Sequence, residues 1–257
     1  MELITTAAIL AVSKKILGKT FDIVSDDIAK LYQKGRDKII EKASKKIKNS
    51  SDGRSTNLRV TRDVFWNGSF TDESICAEYF GGILASSRSD NGDDDTGVYY
   101  VDLIKSLSSQ QLKLHYLIYR SFNKLFIQDT AKEKINPAME NELSSATMLL
   151  LTLEVVSILG EGDIGRDLHA IRAKGLIGFF RTRTYDLKDG KTKIPYLEAK
   201  PSPLGIQLYA VANNRLNTWR DFVNCDFGDF EQINLPKFFG KDIYELLENA
   251  GFKHEIN

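Results

Sequence analysis

The stretch LHAIRAKGLIGFFRTRTYDLKDGKTKIPYLEAKPSPLGIQL, residues 168–208, decides how this chain of 257 residues is read. Ahead of it, Asp163 to Lys174 predicts a short amphipathic helix with Ile164, Leu168 and Ile171 on one face, stopped at Gly175. Two β-type runs follow, Ile177 to Tyr185 and Thr192 to Leu197, joined through Lys188-Asp189-Gly190-Lys191. The Asp-Gly pair is expected to supply the positive φ angles of a tight hairpin. Ser202 and Pro203 then open another helix, as N-cap and first helical residue. Helix, glycine stop, hairpin and proline-started helix together read as a winged helix, a unit that docks on DNA or on another protein.

The rest of the chain predicts helices. The fold class expected is mainly α: a helical body with a C-terminal winged-helix-like unit carrying a β-hairpin. Three regions are expected: an N-terminal helical pair over 1–48, a central helical body over 58–160, and the winged-helix-like unit with C-terminal helices over 161–257. Gly18 separates the first two helices. The second is basic late on, with Lys34, Arg36, Lys38, Lys42, Lys45, Lys46 and Lys48 interleaved with Asp37 and Glu41. Lysines there suit the helix dipole and read as a solvated face, with a nucleic-acid or lipid contact as the alternative. Asn49 to Asn57 is polar without an apolar anchor and reads as a linker, followed by an extended piece from Leu58 to Trp66.

A helix capped by Thr71 contains Gly81-Gly82, and each glycine costs about 1 kcal/mol against alanine in a helix interior. Such a pair points to close helix packing; the flanking residues form no phosphate-binding pattern. Ser108-Ser109-Gln110-Gln111 is a capping box for a helix whose aromatic stripe includes or borders His115, expected to be a core histidine. Asn136-Pro137 is expected to start a long apolar helix running to Gly160 and passing through Met148 to Leu151. The loop from Asp90 to Asp95 fails the EF-hand pattern, because Asp95 and Val101 stand where Gly and Glu are required. It reads as a solvated acidic loop.

Composition bounds the function. Lys plus Arg and Asp plus Glu both number 35, so no global field draws in nucleic acid or anionic membrane. Cys76 and Cys225 read as buried thiols in a reducing cytoplasm. The apolar run Leu3 to Leu17 is interrupted by Lys14 and Lys15 and is too short to span a bilayer. Histidines stand only at 115, 169 and 254, with no metal-ligand spacing, nucleophile elbow or Walker lysine. No enzyme activity, cofactor or metal is expected. Between Ile164 and Lys200, nine basic residues against four acidic ones leave a local excess of five positive charges. Arg166, Arg172, Lys174, Arg181, Arg183, Lys191 and Lys193 are therefore the candidate partner-binding residues. Arg181 and Arg183 share one face of a strand, as do Lys191 and Lys193.

Three segments carry a family likeness: Ile16-Leu17-Gly18-Lys19 through Lys46; the acidic start Asp72-Glu73 with Tyr79-Phe80-Gly81-Gly82-Ile83-Leu84-Ala85-Ser86 and Leu107 to Leu112; and Pro203 to Leu208. In their order the chain resembles the abortive-infection alpha family of bacterial phage-defence proteins. It departs from that family in having the glycine pair where a larger residue usually stands beside a small one, and in its aspartate-rich loop. The resemblance implies a cytoplasmic, mostly helical protein with a role in defence or host shut-off; together with the wing and the absence of a catalytic constellation it gives the leading expectation, a non-enzymatic protein that recognises a phage or host component. The basic hairpin also suits an acidic protein surface, and the Asp90 to Asp95 loop of a second copy is one such surface. The alternative is a DNA-binding transcriptional regulator that uses the winged helix directly.

Overall fold

Gly81 and Gly82 fix how the helices assemble. In the computed structural model, which describes residues 20–71, 73–128, 135–160 and 162–252 (side chains from 29 onward), they lie in the middle of α3 (Ser74–Ser86). A Cβ on Gly81 would stand 2.9 Å from the backbone of Ile39 and Ala43 in α1 (Thr20–Lys46). One on Gly82 would stand 2.3 Å from the carbonyl oxygen of Ala212, at the end of α9 (Pro203–Ala212). Successive helix positions point about 100° apart, so the pair lets two helices touch α3 backbone on different sides. The close packing expected from the sequence is present at both glycines.

After α1 the chain makes a short strand, β1 (Ser55–Thr56), then α2 (Leu58–Gly68). The expected extended piece over Leu58 to Trp66 is thus a helix. Asn57 accepts from the Arg59 amide at 2.8 Å, and Val60 and Val64, one turn apart, are buried. Tertiary burial outweighs the strand preference of those β-branched residues. Following α3 come β2 (Arg88–Ser89), paired with β1, then α4 (Gly97–Ile104) and α5 (Ser109–Gln128). The capping box forms as read: Ser108 Oγ accepts from the Gln111 amide at 3.2 Å, and Gln111 Oε1 accepts from the Ser108 amide at 3.0 Å. α5 is the centre of the core. His115 on it is 0% exposed, with Nδ1 2.5 Å from the Tyr79 hydroxyl and its ring 4.5 Å from that of Tyr119. Burial pushes its pKa down to about 3.

The expected long helix from Asn136 to Gly160 is three elements: α6 (Glu140–Leu143), β3 (Met148–Leu151) and α7 (Thr152–Leu159). A run of four apolar residues does not separate a buried strand from a buried helix. Here the run pairs on both sides. Then come α8 (Ile164–Ala173), β4 (Phe179–Asp186), β5 (Lys193–Lys200), α9, a 3-10 segment (Leu216–Val223), β6 (Phe239–Gly240) and α10 (Ile243–Asn249).

The strands β4-β5-β3-β6 form, in that order, one antiparallel sheet. Alternation along the strands sends Met148, Leu150, Leu197 and Ala199 into the main core, whereas Leu149 and Tyr196 meet Leu246 of α10 in a small second core. Of the turn pair only Gly190 takes a positive φ, at 63°. Asp189 works through its carboxylate, which accepts from the amides of Lys191 and Thr192 at 2.8 Å each. The base of the hairpin is tied to α5 and α9. Tyr119 donates to the Leu176 carbonyl at 2.6 Å and accepts from the Ser202 amide at 3.0 Å, and Ser202 caps α9 as read, accepting from Gly205 at 3.1 Å.

Candidate functional site

The seven basic residues read as partner-binding do not gather into one patch. Gly160, at φ 82°, ends α7, and Asp163 accepts from the Arg166 amide at 3.0 Å to start α8. α8 buries Leu168 and Ile171 and leaves Arg166, Arg172 and, just past its end, Lys174 exposed. His169 meets the Phe180 ring edge-on at 4.9 Å, and the Arg172 guanidinium lies 6.0 Å from that ring. Phe180 therefore points to the α8 side of the sheet. Arg181 and Arg183, out of phase with it, point to the other.

Two of the hairpin bases are already matched. Arg181 pairs with Glu198, its register partner on β5, and Glu198 is buried. Lys193 pairs with Asp186 at 3.3 Å. Arg183, opposite Tyr196, and Lys191, in the turn, have no ion pair among the described residues and are exposed. The ribbon is thus less cationic than its sequence. α7 adds an apolar element, with Leu153 68% and Val156 38% exposed.

A second site lies elsewhere, where the sequence reading saw a solvated lysine face. Glu78 of α3 is 2% exposed among apolar neighbours. Its carboxylate takes Lys42 Nζ at 2.8 Å and also Lys46 Nζ. Lys42, itself 4% exposed, reaches on to Glu231 at 2.8 Å, and Lys45 meets the same carboxylate at 2.8 Å. Lys45 also pairs with Glu41 at 2.8 Å, so three ammonium groups meet three carboxylates. Burial opposes the charge on Lys42, but the hydrogen bonds it donates to Glu231 and Glu78 outweigh it and raise its pKa. Burial wins at Lys46, against the pull of Glu78, and lowers its pKa. Hydrogen bonds from Lys42 and Lys45 hold Glu231 down to about 2. Lys46 also lies 4.7 Å from the centre of the Phe230 ring.

This cluster walls a polar cleft of about 670 Å³ between the end of α1, the loop to β1, the end of α3 and the chain from Asn213 to Glu231. Lys48, Arg54, Arg88 and Arg215 also line it, as do Asp52 and Asp229. Arg88 is paired with Asp52, and Arg54 with Asp90 at 3.2 Å. Asp229 is held from behind by Arg120, 2% exposed, at 2.6 Å. Asn214 adopts a left-handed φ of 55° and donates from Nδ2 to the Lys46 carbonyl at 2.8 Å, closing the end of α1 against the end of α9. The side chains of Arg215 and Lys48 have no hydrogen bond or ion pair among the described residues.

One sequence signal could have found this cleft. Glu78 stands alone in Ile75-Cys76-Ala77-Glu78-Tyr79-Phe80, a run buried all round, and a buried carboxylate requires a cation. Two lysines one helical turn apart, Lys42 and Lys46, supply it.

The acidic loop makes separate local contacts. Asp93 accepts from Ser89, Asp94 from Thr96, and Asp95 from Arg59, at 2.9, 2.7 and 3.0 Å. Among the described residues no group of three or more His, Cys, Asp or Glu side chains is placed to hold a metal ion. Cys76 is buried as read, and burial raises its pKa. Cys225 is exposed, contrary to the reading, in the irregular segment after the 3-10 turn. Among the described residues no helix is long and apolar enough to cross a membrane; Leu3 to Leu17 lies outside them. Comparison of the chain with protein-family models, with curated proteins and with solved structures finds no match.

Proposed function

We propose that this chain is a non-enzymatic recognition protein of anti-phage defence, cytoplasmic, which meets a phage or host protein through a winged-helix unit running from β3 to β5. Three things support the winged-helix reading. The order is strand, helix, four-residue turn, helix, hairpin; the sheet order is β4-β5-β3; and α8 lies on one face of the hairpin. The defence role follows from the family resemblance.

A protein partner is favoured by one observation: Arg181 and Lys193 are neutralised within the hairpin while α7 exposes Leu153 and Val156. Exposed apolar side chains gain from burial against protein, at about 25 cal/mol per Å². They gain nothing from a phosphate backbone. The test is phage survival in cells carrying the wild type or the pair Leu153→Asp and Val156→Asp. Loss of protection at unchanged protein level is expected. Protection kept by the variant, or absent from the wild type across a broad phage panel, overturns the reading.

DNA binding is the second reading, favoured by the exposed residues Arg166, His169 and Arg172 on α8. It requires duplex retardation at low salt that weakens steeply as salt rises, by about 0.9 in the log–log slope per neutralised phosphate. Failure to retard any duplex at low salt removes it.

A further inference from the structure

We propose that the cleft at the end of α1 binds a small ligand carrying two or more phosphate groups, of nucleoside di- or triphosphate size. The inference does not depend on how the winged unit acts. Seven basic side chains and four acidic ones line the cleft, and two carboxylates just outside the lining, Glu41 and Asp90, pair with Lys45 and Arg54, so that the unpaired charge of the cleft is carried by two cations. Unpaired cations in a concave wall focus their field on what enters. The lysine–glutamate cluster accounts for only part of the basic lining. Lys42, Lys45 and Lys46 are matched by Glu78, Glu231 and Glu41, and Arg54 and Arg88 by Asp90 and Asp52.

Arg215 and Lys48 remain, both lining the cleft and both without a partner among the described residues. Arg215 is half-buried and follows directly on the left-handed Asn214, whose side chain is anchored to the Lys46 carbonyl. That turn sets Arg215 in the wall of the cleft that the lysine–glutamate cluster also lines. A guanidinium fork matches phosphate oxygens in pairs, and lysines add point charges around it. Two unpaired cations, one a guanidinium, suit a group carrying two negative charges or more rather than a single carboxylate. The volume, about 670 Å³, falls in the range of pockets that enclose a ligand of that size.

The test uses the full chain with inorganic pyrophosphate and with ATP, each against sodium chloride at equal ionic strength. Thermal unfolding and ³¹P line width are read for the wild type and for Arg215→Ala combined with Lys48→Ala. Neither residue holds a partner, so the variant should unfold at the wild-type temperature without ligand; Lys48→Glu alone is the second variant. Expected is a Tm rise of about 5–10 °C at a hundredfold excess over Kd for at least one probe. Line broadening should accompany it, and Kd should weaken tenfold or more in both variants. A rise no larger than chloride gives, or binding unaltered in the variants, overturns the proposal. So does binding of a short oligonucleotide where pyrophosphate and ATP fail.

Discussion

Lowering the pH from 8 to 5 should destabilise this protein by about 2 kcal/mol through His115 alone. The ring is fully buried in α5, with Nδ1 2.5 Å from the Tyr79 hydroxyl, and burial brings its pKa from 6.5 to about 3. The folded state thus keeps the imidazole neutral over a range in which the unfolded chain takes up a proton. Stability is complete above pH 6.5 and declines towards pH 3, by about 1.4 kcal/mol per unit once well below 6.5. At pH 5 the difference is about 2 kcal/mol, a large part of the 5–15 kcal/mol typical of a domain. Glu231, Asp226 and Asp229 have lowered pKa values, so their contributions are kept down to the ordinary carboxylate range and are lost below it. The interval from pH 8 to 5 therefore isolates the histidine. The assay is urea unfolding at pH 8, 7, 6 and 5 for the wild type and His115→Gln, which keeps an acceptor for Tyr79 but does not titrate. Only the difference in pH dependence is compared, so a general cost of the substitution cancels. Parallel curves would refute the reasoning.

Glu78→Gln should cost about 3 kcal/mol in denaturant unfolding, because it leaves Lys42 and Lys46 without their charged partner; a loss under about 1 kcal/mol would mean that water already reaches the cluster. Gly82→Ala should cost about 2–4 kcal/mol, since its Cβ meets unyielding backbone at Ala212. Gly160→Ala, with open space around it but a φ of 82°, should cost only about 1–2 kcal/mol; the reverse order in Tm would contradict the packing described. Arg181→Glu sets a second carboxylate against buried Glu198 and should destabilise by about 1–3 kcal/mol, whereas Arg183→Glu should stay within about 0.5 kcal/mol. Equal effects of the two would argue against that pairing.

What the sequence made legible was local. The Ser202-Pro203 helix start, the Ser108–Gln111 capping box, Gly81-Gly82 and the hairpin around Gly190 each announce themselves within a few residues, and each is in place. Met148 to Leu151 was ambiguous because its partners, Tyr196 to Ala199 and Phe239-Gly240, lie far along the chain. Helix α2 was hidden by valines and a threonine whose burial outweighs their strand preference. The charge in 164–200 was counted correctly, but its cancellation depends on a strand register that sets Arg181 against Glu198. The cleft was least visible. Lys42 meets Glu78 across 36 positions and Glu231 across 189, and only the helix contacts permitted by two bare glycines bring them together.

Helix α9 has a mechanical consequence. Its ten residues span about 15 Å. Its first turn is locked to the hairpin base through Ser202, Tyr119 and Leu176, and Gly205 there has no room even for a methyl group. Its last residue rests on Gly82, and the next two lead into the cleft wall. It therefore acts as a rigid rod gripped at both ends. A tilt of the hairpin about its base must carry the cleft wall with it, so the two surfaces share one lever rather than moving as separate parts.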